Sequence, residues 1–301
     1  TERTRYAAAK SLGELADADV TVMLWNGLGS HDPYTRDPPN LGMQGLAGKS
    51  LEDFDRTAGL LRGELVDRYG EPDADALIRD ARARYSEILP RVRWVEGRAA
   101  PVMNSFLWIT AQELAVYQAV AARGGDVSEA WELCHKAIRL RTERVPGWKR
   151  WLMNRLMFSG LVRRVIRRRA MREEIVRAGD FETRSVVGDG IAFDHGVDYL
   201  RCGNLELARE VGAEAFAPYL CLSDIALSEG LGWGLIRTQT LADGCSHCDF
   251  RFKRGGETRI TSQTPEVQAT LERIARDEAQ QAASARSALP RRLNSSRTPS
   301  R

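Results

Sequence analysis

ETRSVVGDGIAFDHGVDYL, residues 182–200, is where the chain's pattern changes from helical to extended. Polar and apolar residues alternate through it, β-branched and aromatic side chains are frequent, and Gly-Asp-Gly at 188–190 divides it. Period-two alternation puts successive side chains on opposite faces of a strand, so the stretch predicts a hairpin or two paired strands. In the second strand Ile191, Phe193, His195, Val197 and Tyr199 share one face. Ala192, Asp194, Gly196, Asp198 and Leu200 share the other, with Cys202 just beyond in the same phase. Residues 235–241 and 248–253, on either side of Ala242-Asp243-Gly244, predict a second hairpin.

Upstream the spacing is helical. Ser50 followed by Asp53 resembles a capping box with Asp in place of Glu. Leu51, Phe54, Ala58, Leu61 and Leu65 then recur at helical intervals until Tyr69-Gly70. Further helices are predicted over 73–89, over 104–123 up to Gly124-Gly125, and over 128–143 with Ser128 as cap. Between the hairpins, helices are expected at 205–212 and 216–228, followed by a tight turn through the glycines of 230–234. A polar helix is expected over 265–285, starting at Pro265, and the Ser, Arg and Pro content beyond 287 predicts disorder. Before residue 50 come a helix at 6–18, an apolar run at 20–25 and a loop at 26–49 rich in Gly, Pro, Asp and Asn. Such a loop is long enough for a binding lid, a partner contact or disorder. The expected class is α+β, with a helical N-terminal half packed on a small antiparallel sheet made from C-terminal hairpins. Its parts are an N-terminal segment (1–49), a catalytic-type domain (50–262) and a polar helix with a disordered tail (263–301).

Composition narrows the function. Apolar residues make up 43% and charged residues 28%, as in ordinary globular proteins. A net charge of +3 is too small to imply a nucleic-acid partner. No stretch has the roughly 20 apolar residues of a membrane span, and TERTRYAAAK has no apolar core behind it, so a cytoplasmic location is the default expectation. The charge is unevenly spread: Lys149–Arg172 holds nine basic residues and no acidic one. With Trp151, Leu152, Leu156, Met157, Val162, Val165 and Ile166 on its apolar side, this segment reads as a basic amphipathic helix. Such a helix either lies on an anionic membrane or grips an acidic partner, or, more commonly, pairs its arginines with nearby carboxylates.

Five cysteines at irregular spacing, Cys134, Cys202, Cys221, Cys245 and Cys248, do not form a disulfide framework. Four of them fall in the last third. Cys221 and Asp224, three apart on an expected helix, share a face. Arg237, Thr238 and Thr240 lie on the next strand, and Cys248 and Asp249 begin the closing one. A thiol reacts when a cation or base lowers its pKa, and an Asp beside it can move a proton while an Arg holds an anionic group. Such a set can attack a carbon–nitrogen double bond. The commoner use of three buried cysteines is packing. Cys245-Ser-His-Cys248 is half of a zinc site without a second pair at matching spacing, and a site assembled in space from Cys202, Cys221 and Cys248 is the alternative; no metal is expected. His195, alternating with apolar neighbours, reads as a core histidine. No Gly-rich phosphate loop is present, and no cofactor is expected.

CLSDIALSEGLGWGLIRTQTLADGCSHCDFRF (221–252) resembles the C-terminal signature of the L-2-amino-thiazoline-4-carboxylic acid hydrolase family. The shared pattern is a Cys, an Asp three residues on, an Arg-Thr-x-Thr strand, a Gly turn and Cys-Asp-Phe-Arg-Phe. FDHGVDYLRCGNLELARE upstream is similar to the family's strand ending in Cys before a short helix. The resemblance runs over roughly 107–252 and implies hydrolytic opening of a small nitrogen heterocycle, in families that serve natural-product pathways. By position it covers Cys202, Cys221, Asp224, Arg237, Thr240, Cys248 and Asp249, and the chemistry of these side chains assigns Cys221 or Cys202 as nucleophile and Asp224 as proton shuttle. Arg237 would hold a substrate carboxylate, with Thr240, Asp198 and Cys248 beside it. The implied partner is a small, anionic substrate. A cyclase using Asp224 as base, with arginines on an anionic leaving group, and a non-catalytic ligand-binding protein stay open, as does a homo- or hetero-oligomer.

Overall fold

The computed structural model describes residues 43–96 and 99–288. The expected helix at 6–18, the apolar run at 20–25 and the loop from 26 to 42 lie outside them. Helix α1 (Met43–Tyr69) begins earlier than the sequence suggests, so residues 43–49 are helix and not loop. Ser50 is therefore interior and buried, and Asp53 caps nothing: Arg141 donates to its carboxylate at 2.9 Å. Gly70, at φ 80°, turns the chain into α2 (Glu71–Ile88), where Ala74, Leu77, Ala81, Tyr85 and Ile88 form the buried stripe. A 3₁₀ turn (Leu89–Arg91) follows, then α3 (Ala100–Ala121) and α4 (Val127–Glu143). The cap of α4 is Asp126, whose carboxylate accepts from the Glu129 N–H at 2.7 Å, and not Ser128. Helices α1 to α4 close a ring, each packed on its neighbours, with Phe54, Tyr85, Leu114 and Trp131 in the middle.

The basic segment is two helices, not one. α5 (Gly147–Met157) ends before Ser159, whose hydroxyl accepts from Val162 N–H and starts α6 (Gly160–Met171). Then the sheet begins with β1 (Ile175–Ala178), β2 (Phe181–Val187) and β3 (His195–Arg201). β3 starts later than alternation predicts. The Asp189 carboxylate accepts from Ile191 and Ala192 N–H, both at 2.8 Å, and holds residues 188–194 as a loop with Ile191 outside. Helix α7 (Gly203–Glu210) follows. The helix expected at 216–228 is interrupted, giving α8 (Ala217–Leu220) and α9 (Ser223–Leu231). Leu222 N–H bonds back to Tyr219 C=O and Ile225 N–H to Leu222 C=O, a 3₁₀ tightening that breaks the run at Cys221-Leu222.

The glycine-rich turn behaves as expected. Gly232 caps α9 at φ 73°, and Gly234 at φ 58° passes so close to Lys253 C=O that a Cβ would overlap it. β4 (Leu235–Arg237) is short because the next two N–H groups, of Thr238 and Gln239, go to the Asp249 carboxylate at 2.8 and 2.9 Å. β5 (Cys248–Phe252), β6 (Arg259–Ile260) and α10 (Pro265–Ala288) complete the described residues, and the expected disordered tail beyond 288 lies outside them. The sheet order is β1-β2-β3-β5-β4-β6, antiparallel except for the β4–β6 pair. The architecture is thus α+β, helices first and a mostly antiparallel sheet after. Phe181, Thr183, Tyr199, Cys248, Phe250 and Leu235 point to one face, against the helices.

Candidate functional site

A bulge in β3 builds the site. Thr183 pairs with Tyr199 but Glu182 pairs with Arg201, so Leu200 is the extra residue and the alternation flips beyond it. Cys202 therefore joins the face of Tyr199, towards the helices. Strict alternation had put it with Asp198. Across from it, the α8–α9 break presents Cys221 and Asp224, and β5 contributes Cys248 at the position paired with Tyr199. These side chains enclose a hollow of about 80 Å³, completed by Phe106, Phe181, Asn204, Leu205, Leu220, Leu241, Ala242 and Phe250. Cys221, Asp224, Cys202 and Cys248 thus meet in one place.

Arg237, Thr240 and Asp198 do not line it. Arg237 is 1% exposed and lies behind Asp224, its Nη1 donating to Asp224 Oδ2 and its plane over the Phe250 ring at 5.4 Å. Thr240 Oγ1 accepts from Asp243 N–H and donates to Asp243 Oδ2, both at 3.0 Å, capping a 3₁₀ turn (Leu241–Asp243). Asp198 is on the opposite face of the sheet, taking Arg184 and Arg251 at 2.8 Å each. These two cations hold its carboxyl below the ordinary range against the opposing effect of burial. His195 is a core residue between the Phe158 and Phe252 rings, and burial lowers it to about 4.

The electrostatics separate the thiols from the acid. Burial raises Cys202, raises Cys221 well above the ordinary thiol value even beside Arg237, and pushes Cys248 up to about 12. Leu241 N–H donates to the Cys248 sulfur at 3.2 Å, which only partly offsets this. Asp224 is raised by burial to about 6, with Arg237 pulling the other way. Its side chain keeps 22% exposure at the hollow. A carboxyl raised towards neutrality is suited to proton transfer, whereas thiols held above their ordinary range carry less thiolate for attack.

Sequence reasoning missed three residues. Asn204 lines the hollow, and its Oδ1 is buried without a hydrogen-bond partner. Its position directly after the Cys202-Gly203 break was the only available signal. Tyr199 forms a wall, its phenol raised by burial. Glu113, from α3, accepts from the Ser223 hydroxyl, and burial raises it to about 8, helped by the Asp224 charge. An acid within FLWITAQELAVYQAV (106–120) is the mark it leaves in the sequence. Glu113 also borders a larger cavity of about 220 Å³ among α1 to α4, with Phe54, Leu61, Leu77 and Trp108 in its walls and Arg56, Arg141 and Arg144 on its rim. Among the described residues, no group of three or more His, Cys, Asp or Glu side chains is arranged to hold a metal ion.

Residues 109–252, somewhat under half the chain, match the family model for L-2-amino-thiazoline-4-carboxylic acid hydrolase. The match spans Glu113, Cys202, Asn204, Cys221, Asp224, Arg237 and Cys248. No curated protein and no solved structure matches the chain.

Proposed function

We propose, with that family match as premise, that the chain hydrolyses a cyclic amidine-type C–N bond of a small heterocycle, using Asp224 as the proton-transferring group. One observation carries the reading: a carboxyl at the wall of the hollow that titrates near neutrality, with its guanidinium partner sealed behind it. General bases are most effective with a pKa near the working pH. Ionised Asp224 takes a proton from water as the water oxygen bonds to the amidine carbon. The C=N electron pair moves to nitrogen, which receives that proton from Asp224. The new hydroxyl then loses its proton and becomes C=O as the ring C–N bond breaks, and the departing nitrogen takes up the proton. One water is consumed and Asp224 ends ionised.

The remaining residues take different parts from those assigned from the sequence. Arg237 is a positioning residue that keeps Asp224 ionised and aimed. Asn204 offers its unpartnered amide oxygen to an N–H of the substrate. Cys202, Cys221 and Cys248 form a soft apolar wall, while Thr240 and Asp198 support the loop and the sheet. Among the described residues no Lys, Arg or His lines the hollow, which favours a ring that is neutral or cationic where it meets Asp224 over an anionic one. The same lack disfavours ring closure, since an anionic leaving group would find no cation there. The test is turnover of amino-thiazolines with and without a carboxylate. Asp224→Asn is expected to abolish it with circular dichroism unchanged. Equal turnover by Asp224→Asn and native protein would remove the proposal.

A further inference from the structure

The segment Lys149–Arg172 has a property that hydrolysis does not use. Its nine cations form no ion pair among the described residues, and Arg150 alone is engaged by backbone, at Gly230 C=O. Elsewhere the protein pairs its charges readily, as in Arg62 with Glu71 and Asp75, Arg82 with Asp55, and Arg123 with Asp80. On α5 the cations lie over tryptophans instead: Lys149 over Trp148 at 5.7 Å and Arg155 over Trp151 at 5.5 Å. The expected pairing of these arginines with carboxylates is not found among the described residues.

Large apolar side chains stand among the charges. Trp148 is 65% exposed and Trp151 61%, and with exposed Arg155 they follow one another at i, i+3 and i+7 on α5. Helix α6 packs on β2, yet none of its residues is fully buried. Val162, Val165 and Ile166 turn partly inward, which leaves an outer arc of Arg163, Arg164, Arg167, Arg168 and Arg172. Within that arc lie exposed Leu161 and, at 77% exposure, Met171.

We infer that α5 and α6 form a docking surface for an anionic lipid bilayer, lying in its headgroup region without crossing it. Among the described residues no helix is long and apolar enough to span a membrane. Cations on flexible stems reach anionic headgroups, while tryptophan rings and aliphatic side chains beside them enter the acyl boundary. Unpaired charge supplies the complementarity. The aliphatic groups set the choice of partner, because a nucleic-acid backbone would take the arginines and leave Leu161 and Met171 in water.

The experiment is co-sedimentation of the full chain with phosphatidylcholine vesicles, with and without phosphatidylglycerol, at low and high salt. Binding is expected to the acidic vesicles and to weaken with salt. Arg164→Glu with Arg168→Glu is expected to reduce it by roughly tenfold or more. Trp148→Ala with Trp151→Ala is expected to reduce it also at high salt, where the apolar part dominates. Both variants change exposed positions and should melt with the native protein. Equal binding to neutral and acidic vesicles, no sedimentation with either, or unchanged binding by the charge-reversed variant would overturn the inference. So would binding to duplex DNA or RNA in place of vesicles.

Discussion

The cavity among the four long helices and the hollow beside the sheet each take a buried acid into their walls, and the two acids behave differently. Glu113, on the larger cavity, is 5% exposed and has a serine hydroxyl as its hydrogen-bond partner, and burial raises it to about 8. Asp224, on the smaller hollow, has a guanidinium, and its rise stops at about 6. Asp224 is therefore the first of the two to ionise as pH rises. On the proposed function it is the partner of the acid, and not the size of the cavity, that marks the reacting site. Carboxyls whose surroundings separate their pKa values are the arrangement from which acid and base roles are assigned.

Of the two acids, Asp224 is expected to have the larger effect on turnover. Asp224→Asn keeps the shape and removes the base, so turnover should fall by about 10²–10⁴-fold, the usual contribution of a positioned proton-transfer group. The native rate should rise with pH through about 6, as Asp224 ionises. Steady-state assays across pH check both statements. A flat native profile would separate the rate from this carboxyl.

Arg237→Met removes the cation that distinguishes the two acids. The buried carboxyl then lacks its partner, and breaking such a pair costs about 3–5 kcal/mol of folding stability when the remaining charge stays buried. Where the variant folds, the acid limb of its pH–rate profile should move above that of the native enzyme, because the group that lowers Asp224 is gone. Arg237→Lys, which keeps a charge but not the planar geometry, should show a smaller displacement. An unmoved limb in both variants would deny Arg237 its positioning role.

Four residues of the hollow were visible in the sequence, but their arrangement was not. Cys202, Cys221, Asp224 and Cys248 stand out as residue types, and the two hairpins follow from alternation. What could not be read is where alternation stops. The bulge at Leu200 turns Cys202 towards the helices, and the carboxylate of Asp249 ends β4 by taking two N–H groups from the chain. Both are contacts between strands distant in sequence, and periodicity within one strand carries no information about them. Arg237 was legible as a charge beside an acid, but its burial behind Asp224 depends on how β4 packs under α9. The helices were more transparent because their buried stripes are local, although α1 continues through residues that resembled its cap.

Glu113→Gln sharpens the comparison from the other side. An acid raised from about 4.5 to about 8 binds its proton more tightly in the folded state. Native stability should therefore fall as pH rises from the unfolded value through the folded one, by an amount on the order of a few kcal/mol. The glutamine keeps an acceptor for Ser223 and carries no proton to lose. Its melting temperature should be flatter across that window, and the variant should exceed the native protein in stability above it. Parallel melting curves for the two proteins would mean that Glu113 is not held protonated.

The smallest effect is expected at the sulfurs. A thiol held at about 12, as Cys248 is, leaves only about one molecule in 10⁵ as thiolate at neutral pH. Cys221 has Arg237 near it, yet burial still dominates and keeps it well above the ordinary value. Cys221→Ala removes one wall atom and no base, so turnover should stay within about threefold of native, a difference of less than 1 kcal/mol. Cys202→Ala should behave alike, and iodoacetamide should label either thiol slowly until the pH is well above neutral. Because Asp224→Asn and Cys221→Ala act on neighbouring groups in one hollow, the ratio of their effects measures which of them drives the chemistry. A loss at Cys221 as large as that at Asp224, with rapid alkylation at neutral pH, would transfer the nucleophilic step to sulfur and leave Asp224 as its proton acceptor.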